Sequence, residues 1–186
     1  MNHLLCRTVA GLAASFAFAL PCMAEVSVVG CIFDSTAPQI TDNPNNCPAD
    51  HRLDIVSIKG AWAQPVTVGS AGGGAGAGKV QLKPFVIVKN LDRASPSLFT
   101  DVVTGRHLNG VLIAVFESNN RGALQRTFSF LLEEAFVSSL EFDAADSRAR
   151  GASPMDVVEF SYGRITVKDE VSRLTSVFDF VANQVP

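Results

Sequence analysis

Residues 76–99, GAGKVQLKPFVIVKNLDRASPSLF, contain the features that decide the fold of this chain. The middle of the stretch, residues 79–89, is rich in valine, leucine, phenylalanine and isoleucine, which is typical of a β-strand. Pro84 lies within this segment, and a proline cannot donate a hydrogen bond to a sheet ladder. The stretch therefore predicts a strand with an edge position or a bulge at Pro84.

The end of the stretch predicts a short helix. Ser95 is a suitable N-cap, Pro96 fits the first helical position, and Gly105 fits the position just after the last turn. The apolar residues between them recur at helical spacing and predict one stripe, formed by Leu98, Phe99, Val102 and Val103.

Further strands are expected on both sides of this helix. Apolar or alternating segments occur at residues 25–33, 53–62, 111–117, 126–142, 157–167 and 175–181. Asn119 to Gly122 predicts a hairpin turn, and Gly163 predicts a bulge. Because the strands are many and no βαβ alternation occurs, we expect a mainly β fold. It would be an antiparallel two-sheet barrel or sandwich with one short α-helix.

Residues 1–24 are interpreted as a secretory signal peptide. Arg7 supplies a positive charge, residues 9–20 form an apolar run, and Ala24 suits the position before a cleavage site. A buried helix is the alternative interpretation. The mature chain, residues 25–186, is then expected to be a single domain that is periplasmic or secreted.

Two of the four cysteines, Cys31 and Cys47, remain in the mature chain. An even pair of cysteines in an exported chain predicts one disulfide, which would pin the polar segment between them. His51 follows Cys47 closely, so these three side chains are the alternative candidates for a metal site. Neither C-x-x-C spacing nor a fourth ligand is evident, and a disulfide beside a surface histidine is therefore the favoured interpretation.

With 186 residues, 47% of them hydrophobic and 18% charged, the chain can bury the core of one globular domain.

The composition argues against two classes of partner. The formal net charge of −3 does not favour a nucleic-acid partner. The apolar run of the leader is too short for a stable membrane span, and no such span is expected.

A glycine-rich run, GSAGGGAGAGKV, occupies residues 69–80. Counted from Gly73, it matches the start of a P-loop, G-x-x-x-x-G-K. A P-loop needs a serine or threonine after the lysine and a helix that receives the phosphate. Here Val80 follows Lys79, and a strand is expected next. We therefore interpret the run as a flexible loop between two strands, and we expect no nucleotide cofactor.

No catalytic set is evident elsewhere. The G-x-S-x-G pattern of a serine nucleophile is missing from the sequence. Glu133 and Glu134 are adjacent in an expected strand, so their carboxylates face opposite sides and do not share a site. His107 is expected to pack or to cap a turn, and residues 143–150 are expected to form a solvated loop. An enzyme of another class remains a third, weaker alternative, and neither cofactor nor metal is expected.

Residues 76–99 resemble the haemolysin-coregulated protein family, Hcp, the tube protein of type VI secretion systems. In that family a glycine-ended loop leads through G-K-V into a strand, and an aspartate precedes a helix that begins Ser-Pro-x-Leu. The matching residues here are Gly78, Lys79, Val80, Asp92, Ser95, Pro96, Leu98 and Phe99. Three later segments also resemble the family: GRHLNGVLIAVF at 105–116, SFLLEEAFVSSLEF at 129–142 and PMDVVEFSYGRITVKD at 154–169.

The resemblance implies a β-barrel-like fold of two sheets with one helix, which assembles as a six-membered ring. Rings stack into a tube, and an extended loop, here residues 64–78, reaches the neighbouring ring or subunit. The corresponding assembly-loop residues are Gly72, Gly73, Gly74, Gly76, Gly78 and Lys79. The resemblance also implies a structural protein and carrier, not an enzyme, whose partners are copies of itself, a spike protein and effector cargo.

Two features depart from the family pattern. Residues 31–50 match it poorly and add the expected disulfide, and a signal peptide conflicts with tube assembly in the cytoplasm. Because a fold does not fix a function, a second hypothesis stays open. The chain would then be an exported binding module, monomeric or a small oligomer, that holds a peptide, an effector or a glycan.

Overall fold

The structure is a computed structural model and describes residues 25–33, 46–63, 66–67, 76–77, 80–119, 122–143 and 153–182. Within these residues the chain forms eleven strands and one helix. In chain order they are β1 (Val26–Phe33), β2 (Arg52–Lys59), β3 (Trp62–Ala63), β4 (Val66–Thr67), β5 (Gly76–Ala77), β6 (Gln81–Leu82), β7 (Phe85–Asn90), α1 (Ser95–Thr104), β8 (His107–Ser118), β9 (Leu124–Asp143), β10 (Met155–Asp169) and β11 (Leu174–Asp179). The expected signal peptide lies outside the described residues.

Six of the strands close into a barrel. β10 pairs with β7, β7 with β2, β2 with β1, β1 with β8 and β8 with β9, and β9 returns to β10. β11 adds to residues 164–169 of β10, beyond the part that pairs with β7. All of these pairs are antiparallel, so the expected mainly β barrel with one short helix is confirmed.

The inside of the barrel is filled because side chains alternate between the two faces of each strand. Ile32 of β1, for example, faces inward opposite Val111 of β8. The large, fully buried side chains of this core include Phe85, Phe160, Leu53, Ile87, Leu98, Leu108, Ile113 and Leu132. Helix α1 belongs to the same core, since Ala94 before it and Leu98 within it are buried there.

The prediction that Ser95 caps helix α1 was wrong. Ala94 holds the N-cap position without a side-chain hydrogen bond, and Ser95 is the first helical residue, with Pro96 in the first turn. The hydroxyl of Ser95 instead forms hydrogen bonds with the buried charged groups of Lys89 and Asp156. Gly105 ends the helix as expected, in the left-handed conformation with φ of 63°.

The apolar stripe of α1 is only half buried. Leu98 is fully buried and Val102 is half-buried, whereas Phe99 and Val103 are 51% and 62% exposed. The helix contacts the barrel through the side that carries Ser95 and Leu98. Phe99 and Val103 each follow an inward residue by one position, which turns them about 100° around the helix axis. The four residues therefore form two surfaces, one in the core and one facing solvent.

The expected hairpin turn is present between β8 and β9. The Gly122 N–H donates to the Asn119 carbonyl at 2.8 Å, and Gly122 has a φ of 75°. The bulge expected at Gly163 is not there, because the register between β10 and β9 shifts between Glu159 and Phe160. The β10–β9 register is the same on both sides of Gly163. Glu134, on the neighbouring strand β9, has a φ of 51°, and a Cβ on Gly163 would lie 3.2 Å from the Cβ of Glu134.

The expected loop at residues 64–78 contains further strand pairing. Trp62 pairs with Leu82, and Val66 pairs with Ala77, so that β3 with β6 and β4 with β5 prolong the β2–β7 hairpin. Residues 83–84, which include Pro84, separate β6 from β7, so the segment that was expected to be one strand with an edge or a bulge at Pro84 is interrupted there. We call residues 62–82 the hairpin arm. The remaining residues between its short strands lie outside the described part of the chain.

A second, smaller apolar cluster lies on the outer face of the barrel. It consists of Val29, Cys31, Cys47, Ala114 and Phe116, and none of them is more than 6% exposed. Cys31 and Cys47 are joined by a disulfide with 6.0 Å between their Cα atoms. The bond ties β1 to the turn that precedes β2. Both sulfurs are used in it, so the alternative metal site of these cysteines with a nearby histidine is not formed.

We expect thiol counting on the denatured mature chain, residues 25–186, to find no free thiol before reduction. Reduction should lower the free energy of unfolding by about 3 kcal/mol, because a cross-link over a loop of this length restricts the unfolded chain. Chemical denaturation with and without a dithiol measures this difference. Two free thiols before reduction would contradict the disulfide and revive the metal alternative.

Candidate functional site

A fully buried lysine is the central polar feature of the described residues. The side chain of Lys89, in β7, is 0% exposed, and lysines are almost never so buried without a partner. Its Nζ donates to Asp156 Oδ2 at 2.8 Å, to Ser95 Oγ at 3.0 Å and to the Asn90 carbonyl at 2.9 Å. Asp92 Oδ1 lies 2.9 Å from the same nitrogen. Asp156, in β10, is also 0% exposed, so the ion pair is removed from water.

The polar residues of the expected helix motif complete this group. Ser95 Oγ donates to Asp156 Oδ2 at 2.5 Å and accepts the N–H of Asp92 at 3.1 Å. Asp92 Oδ1 accepts the N–H of Ala94 at 2.8 Å, which fixes the turn before α1. We call Lys89, Asp92, Ser95 and Asp156 the Lys89 cluster. It ties β7, the start of α1 and β10 together at one point.

The Lys89 cluster does not have the arrangement of a serine–lysine catalytic pair. In such a pair the lysine takes the proton of the serine, which attacks a bound substrate. Here Ser95 donates toward Asp156, and Lys89 itself donates to Ser95. Ser95 is only 6% exposed, and a substrate therefore has no access to its hydroxyl. The geometry supports a structural role for the cluster.

A second charged group lies at the turn after β10. Glu170 Oε1 is 3.1 Å from Arg126 Nη2 and accepts the Ser129 hydroxyl at 3.0 Å, while Oε2 is 2.5 Å from Lys168 Nζ. Burial alone would raise the pKa of Glu170. The hydrogen bonds from Lys168 and Ser129, with the charges of Arg126 and Lys168, outweigh burial and hold this pKa below its usual value.

An apolar groove of about 500 Å³ lies between the hairpin arm and β11. The arm contributes Trp62 and Val80, and the opposite wall comes from β10, β11 and the residue after β11. The apolar side chains of that wall are Ile165, Val167, Val177, Phe178 and Phe180. The groove is partly open to solvent, so it is suited to an apolar side chain or a short apolar segment rather than to an enclosed ligand.

The base of the arm is held by the only tryptophan and the only tyrosine of the chain. The indole N–H of Trp62 donates to the Tyr162 hydroxyl at 2.8 Å. Burial raises the pKa of Tyr162, and the hydrogen bond from Trp62 opposes this effect. Phe180 packs edge-on against the Tyr162 ring, with centroids 5.7 Å apart. The wall of the groove is thus fixed to β10 where the arm leaves the barrel.

The residues that were expected to form the helix motif divide into inward-facing and exposed ones, and most of the expected assembly-loop residues lie outside the described part of the chain. Asp92, Ser95 and Leu98 point into the protein, whereas Pro96 and Phe99 are exposed. Of the assembly-loop residues, Gly76 lies in β5 and pairs with Thr67. The others lie outside the described residues: Gly72, Gly73, Gly74, Gly78 and Lys79.

The acidic pair on β9 is divided between two partners. Glu133 Oε2 lies 3.5 Å from Arg164 Nε, and Glu134 Oε2 lies 2.7 Å from His107 Nε2. His107 also packs edge-on against Phe136, with centroids 4.9 Å apart. These glutamates therefore do not form a shared site, and His107 packs against a ring, as the sequence predicted.

Two further properties concern metals and membranes. Among the residues that the structure describes, no group of three or more histidine, cysteine, aspartate or glutamate side chains is arranged to hold a metal ion. In the same part of the chain, no helix has the length and hydropathy required to cross a bilayer.

Lys89 and Asp156 were missed by the sequence analysis. A signal for them exists, because each is a single charged residue inside an apolar strand segment, VIVKN and PMDVV. A charge at an inward position of a strand must find a partner in the core. The Trp62–Tyr162 pair and the groove have no comparable local signal.

Comparisons with known proteins agree with this architecture. A family model described as "Type VI secretion system effector, Hcp" matches residues 47–168. The Major exported protein of Pseudomonas aeruginosa is 25% identical over 134 residues, which cover 70% of this chain and 78% of that protein.

Solved structures have the same fold at low sequence identity. Hcp1 from Salmonella typhimurium superposes with a TM-score of 0.65 at 18% identity, over 87% of this chain and 99% of that one. The Hcp1 protein from E. coli EAEC 042 gives a TM-score of 0.67 at 18% identity, over 84% and 99% of the two chains.

We expect Lys89→Met to lower the free energy of unfolding by about 3–5 kcal/mol, because the buried carboxylate of Asp156 loses its counter-charge. Adding Asp156→Leu to this variant should recover part of the loss, since it removes the unpaired charge. Denaturant unfolding measures both changes, and Lys83→Met at an exposed position is the matched control. A loss no larger than that of the control would contradict the structural role of the Lys89 cluster.

We expect Glu170→Gln to destabilise the protein by about 1 kcal/mol at neutral pH and to have no effect in acid. A lowered carboxyl pKa stabilises the fold above the unfolded pKa of about 4.3, and this contribution is lost as the pH falls through the folded pKa. Unfolding of both proteins between pH 7 and pH 3 measures the difference. Glu117→Gln, at an exposed position, should show no such pH dependence, and a constant difference for Glu170→Gln would exclude the charge effect.

Proposed function

The chain belongs to the Hcp family of type VI secretion system proteins, and from this premise we propose that it is an exported subunit of a self-assembled ring, six-membered and able to stack into a tube. The members of this family are structural tube-type proteins and not enzymes. A spike protein and effector cargo, which the family implies, are further partners in this proposal.

The hairpin arm is the observation that carries the proposal. Within the described residues, β3 pairs with β6 and β4 pairs with β5, and neither pair joins the barrel sheet. A two-stranded hairpin is only marginally stable in water without further packing. Contact with a second copy of the chain would provide that packing, as expected for an element that joins one subunit or ring to the next.

Exposed apolar side chains support assembly through two different surfaces. One surface includes Phe99 and Val103 on α1, and the other includes Val171 in the turn before β11 and Leu174 at its start. A ring of more than two subunits uses head-to-tail contacts, in which each copy presents two different patches. The two groups of exposed residues lie on different elements, α1 and the β10–β11 turn with β11.

Export is supported by three independent features. Residues 1–24 have the pattern of a signal peptide, and the similar Pseudomonas aeruginosa protein is named for its export. The disulfide of Cys31 and Cys47 suits an oxidising compartment, since disulfides are rare in proteins that stay in the cytosol. We propose that the mature chain is periplasmic or secreted.

The groove favours a second candidate function. A concave apolar surface lined by Trp62, Phe178 and Phe180 is suited to an exported binding module, monomeric or a small oligomer, that holds an apolar segment of a partner. This candidate needs no ring.

The first measurement is light scattering after size exclusion of the oxidised mature chain, with negative-stain images of the peak. We expect six times the monomer mass and ring-shaped particles. Deleting residues 72–75 should reduce stacking, because these residues belong to the proposed assembly loop. The ring should remain, because the deletion keeps Gly76 and Ala77 and so keeps the β4–β5 pairing, which a deletion of 72–77 would remove. Deleting residues 145–148, which lie between β9 and β10 in the sequence, is the matched control.

A monomer peak would contradict the ring and favour the binding module. An unfolded deletion variant would show that the arm is part of the fold and not an assembly element. In either case, circular dichroism of the same samples separates loss of assembly from loss of folding.

A further inference from the structure

Strand β2 is the most weakly held strand of the closed barrel. It pairs with β1 only through residues 52–55, against residues 28–31. On its other side it pairs with β7 through residues 55–59, with an irregular register. By contrast, β1 pairs with β8 along its whole length, and β9 pairs with β10 over most of both strands. The β1–β2 and β2–β7 ladders are therefore the shortest of the closed barrel, and the β1–β2 seam is one of the two places where the barrel has the fewest backbone pairs.

The disulfide lies at the end of this seam. Cys31 is directly opposite Arg52 in the last pair of the ladder. Beyond that pair, the Ile32 N–H donates to the His51 carbonyl at 3.0 Å, and the His51 N–H donates to the Pro48 carbonyl at 3.0 Å. Cys47 begins this turn, so its bond to Cys31 fixes the chain just before it enters β2.

The two sulfurs are inaccessible in the folded chain. Cys31 is 0% exposed and Cys47 is 6% exposed, and both belong to the apolar cluster with Phe116. Thiol–disulfide exchange needs a thiolate to reach a sulfur atom. Exchange therefore requires an opening that exposes Cys31, in β1, or Cys47, in the turn before β2. Once formed, the bond holds that turn against β1 and opposes such an opening.

We propose that the Cys31–Cys47 disulfide is a redox latch on closure of the barrel, and that it restricts assembly to the oxidised chain. Two thiols lose two protons and two electrons as the S–S bond forms, and a disulfide oxidant of the dithiol–disulfide class takes them up and becomes a dithiol. The reduced chain has an open β1–β2 seam. The oxidised chain keeps the seam closed. The statement about assembly rests on the proposed ring, whereas the latch itself does not.

Hydrogen exchange of the mature chain tests the latch. Loss of the disulfide lowers the stability of the whole fold, which alone should speed exchange of its most protected amides about 100-fold. In the reduced chain and in the double variant Cys31→Ala with Cys47→Ala, the amides of residues 52–55 should speed up by a further factor of about 10 or more. Amides of the β8–β9 ladder should speed up only by the factor that the loss of global stability gives. Leu98→Ala, in the oxidised chain, is the control, because it removes core packing away from the seam.

Leu98→Ala should raise exchange in the most protected strands without a preference for residues 52–55. Faster exchange of equal size in all strands of the reduced chain would overturn the latch, because the disulfide would then stabilise the protein only as a whole. Unchanged exchange at residues 52–55 would overturn it as well.

Light scattering of the oxidised and reduced chains tests the effect on assembly. Rings from the oxidised chain and monomers from the reduced chain would support a latch that controls assembly. Rings from both would overturn that control. Monomers from both would contradict the ring proposal and the control of assembly together, while hydrogen exchange would still decide the latch.

Discussion

The burial of the Lys89 ammonium is the constraint on which the rest of the fold depends. A charge removed from water is costly unless it is paired and hydrogen-bonded. Its partners come from separate elements, with Asp156 in β10, Ser95 in α1 and Asp92 in the connection between β7 and α1. They meet only in the observed register, in which Lys89 and Asp156 are directly opposite. One buried charge thus specifies a strand pair, a turn and the start of a helix.

This constraint also explains the local sequence that most resembles the Hcp family. Asp92 and Ser95 serve the turn and the buried charges, and Leu98 fills the core. These three residues of the motif are therefore required by the fold and not by a reaction. Phe99, one position after Leu98, is the exception, because it faces solvent with half of its surface exposed and is free to contact another copy.

The elements of the fold were predictable where a local period or turn chemistry specifies them. The strands were predictable from the alternation of apolar residues. The end of α1 was predictable from Gly105, because glycine readily adopts the left-handed conformation that ends a helix. Contacts over long sequence separations were not predictable. Lys89 and Asp156 are 67 residues apart, and Trp62 and Tyr162 are 100 apart, so no local pattern records either pair. The groove was missed for the same reason, since its walls meet only in the folded barrel.

Side chains fill the inside of the barrel, and its buried charges are paired. Surfaces for recognition therefore lie at the outside of the barrel. The hairpin arm carries the strand pairs that do not join the barrel sheet, and the groove lies at its base. Trp62 belongs to both, because it pairs in the arm and lines the groove. A ligand in the groove would therefore contact the same side chain from which the arm extends. The proposed ring and the alternative binding module would therefore both depend on Trp62, the first through the arm that begins at this residue and the second through the groove that it lines.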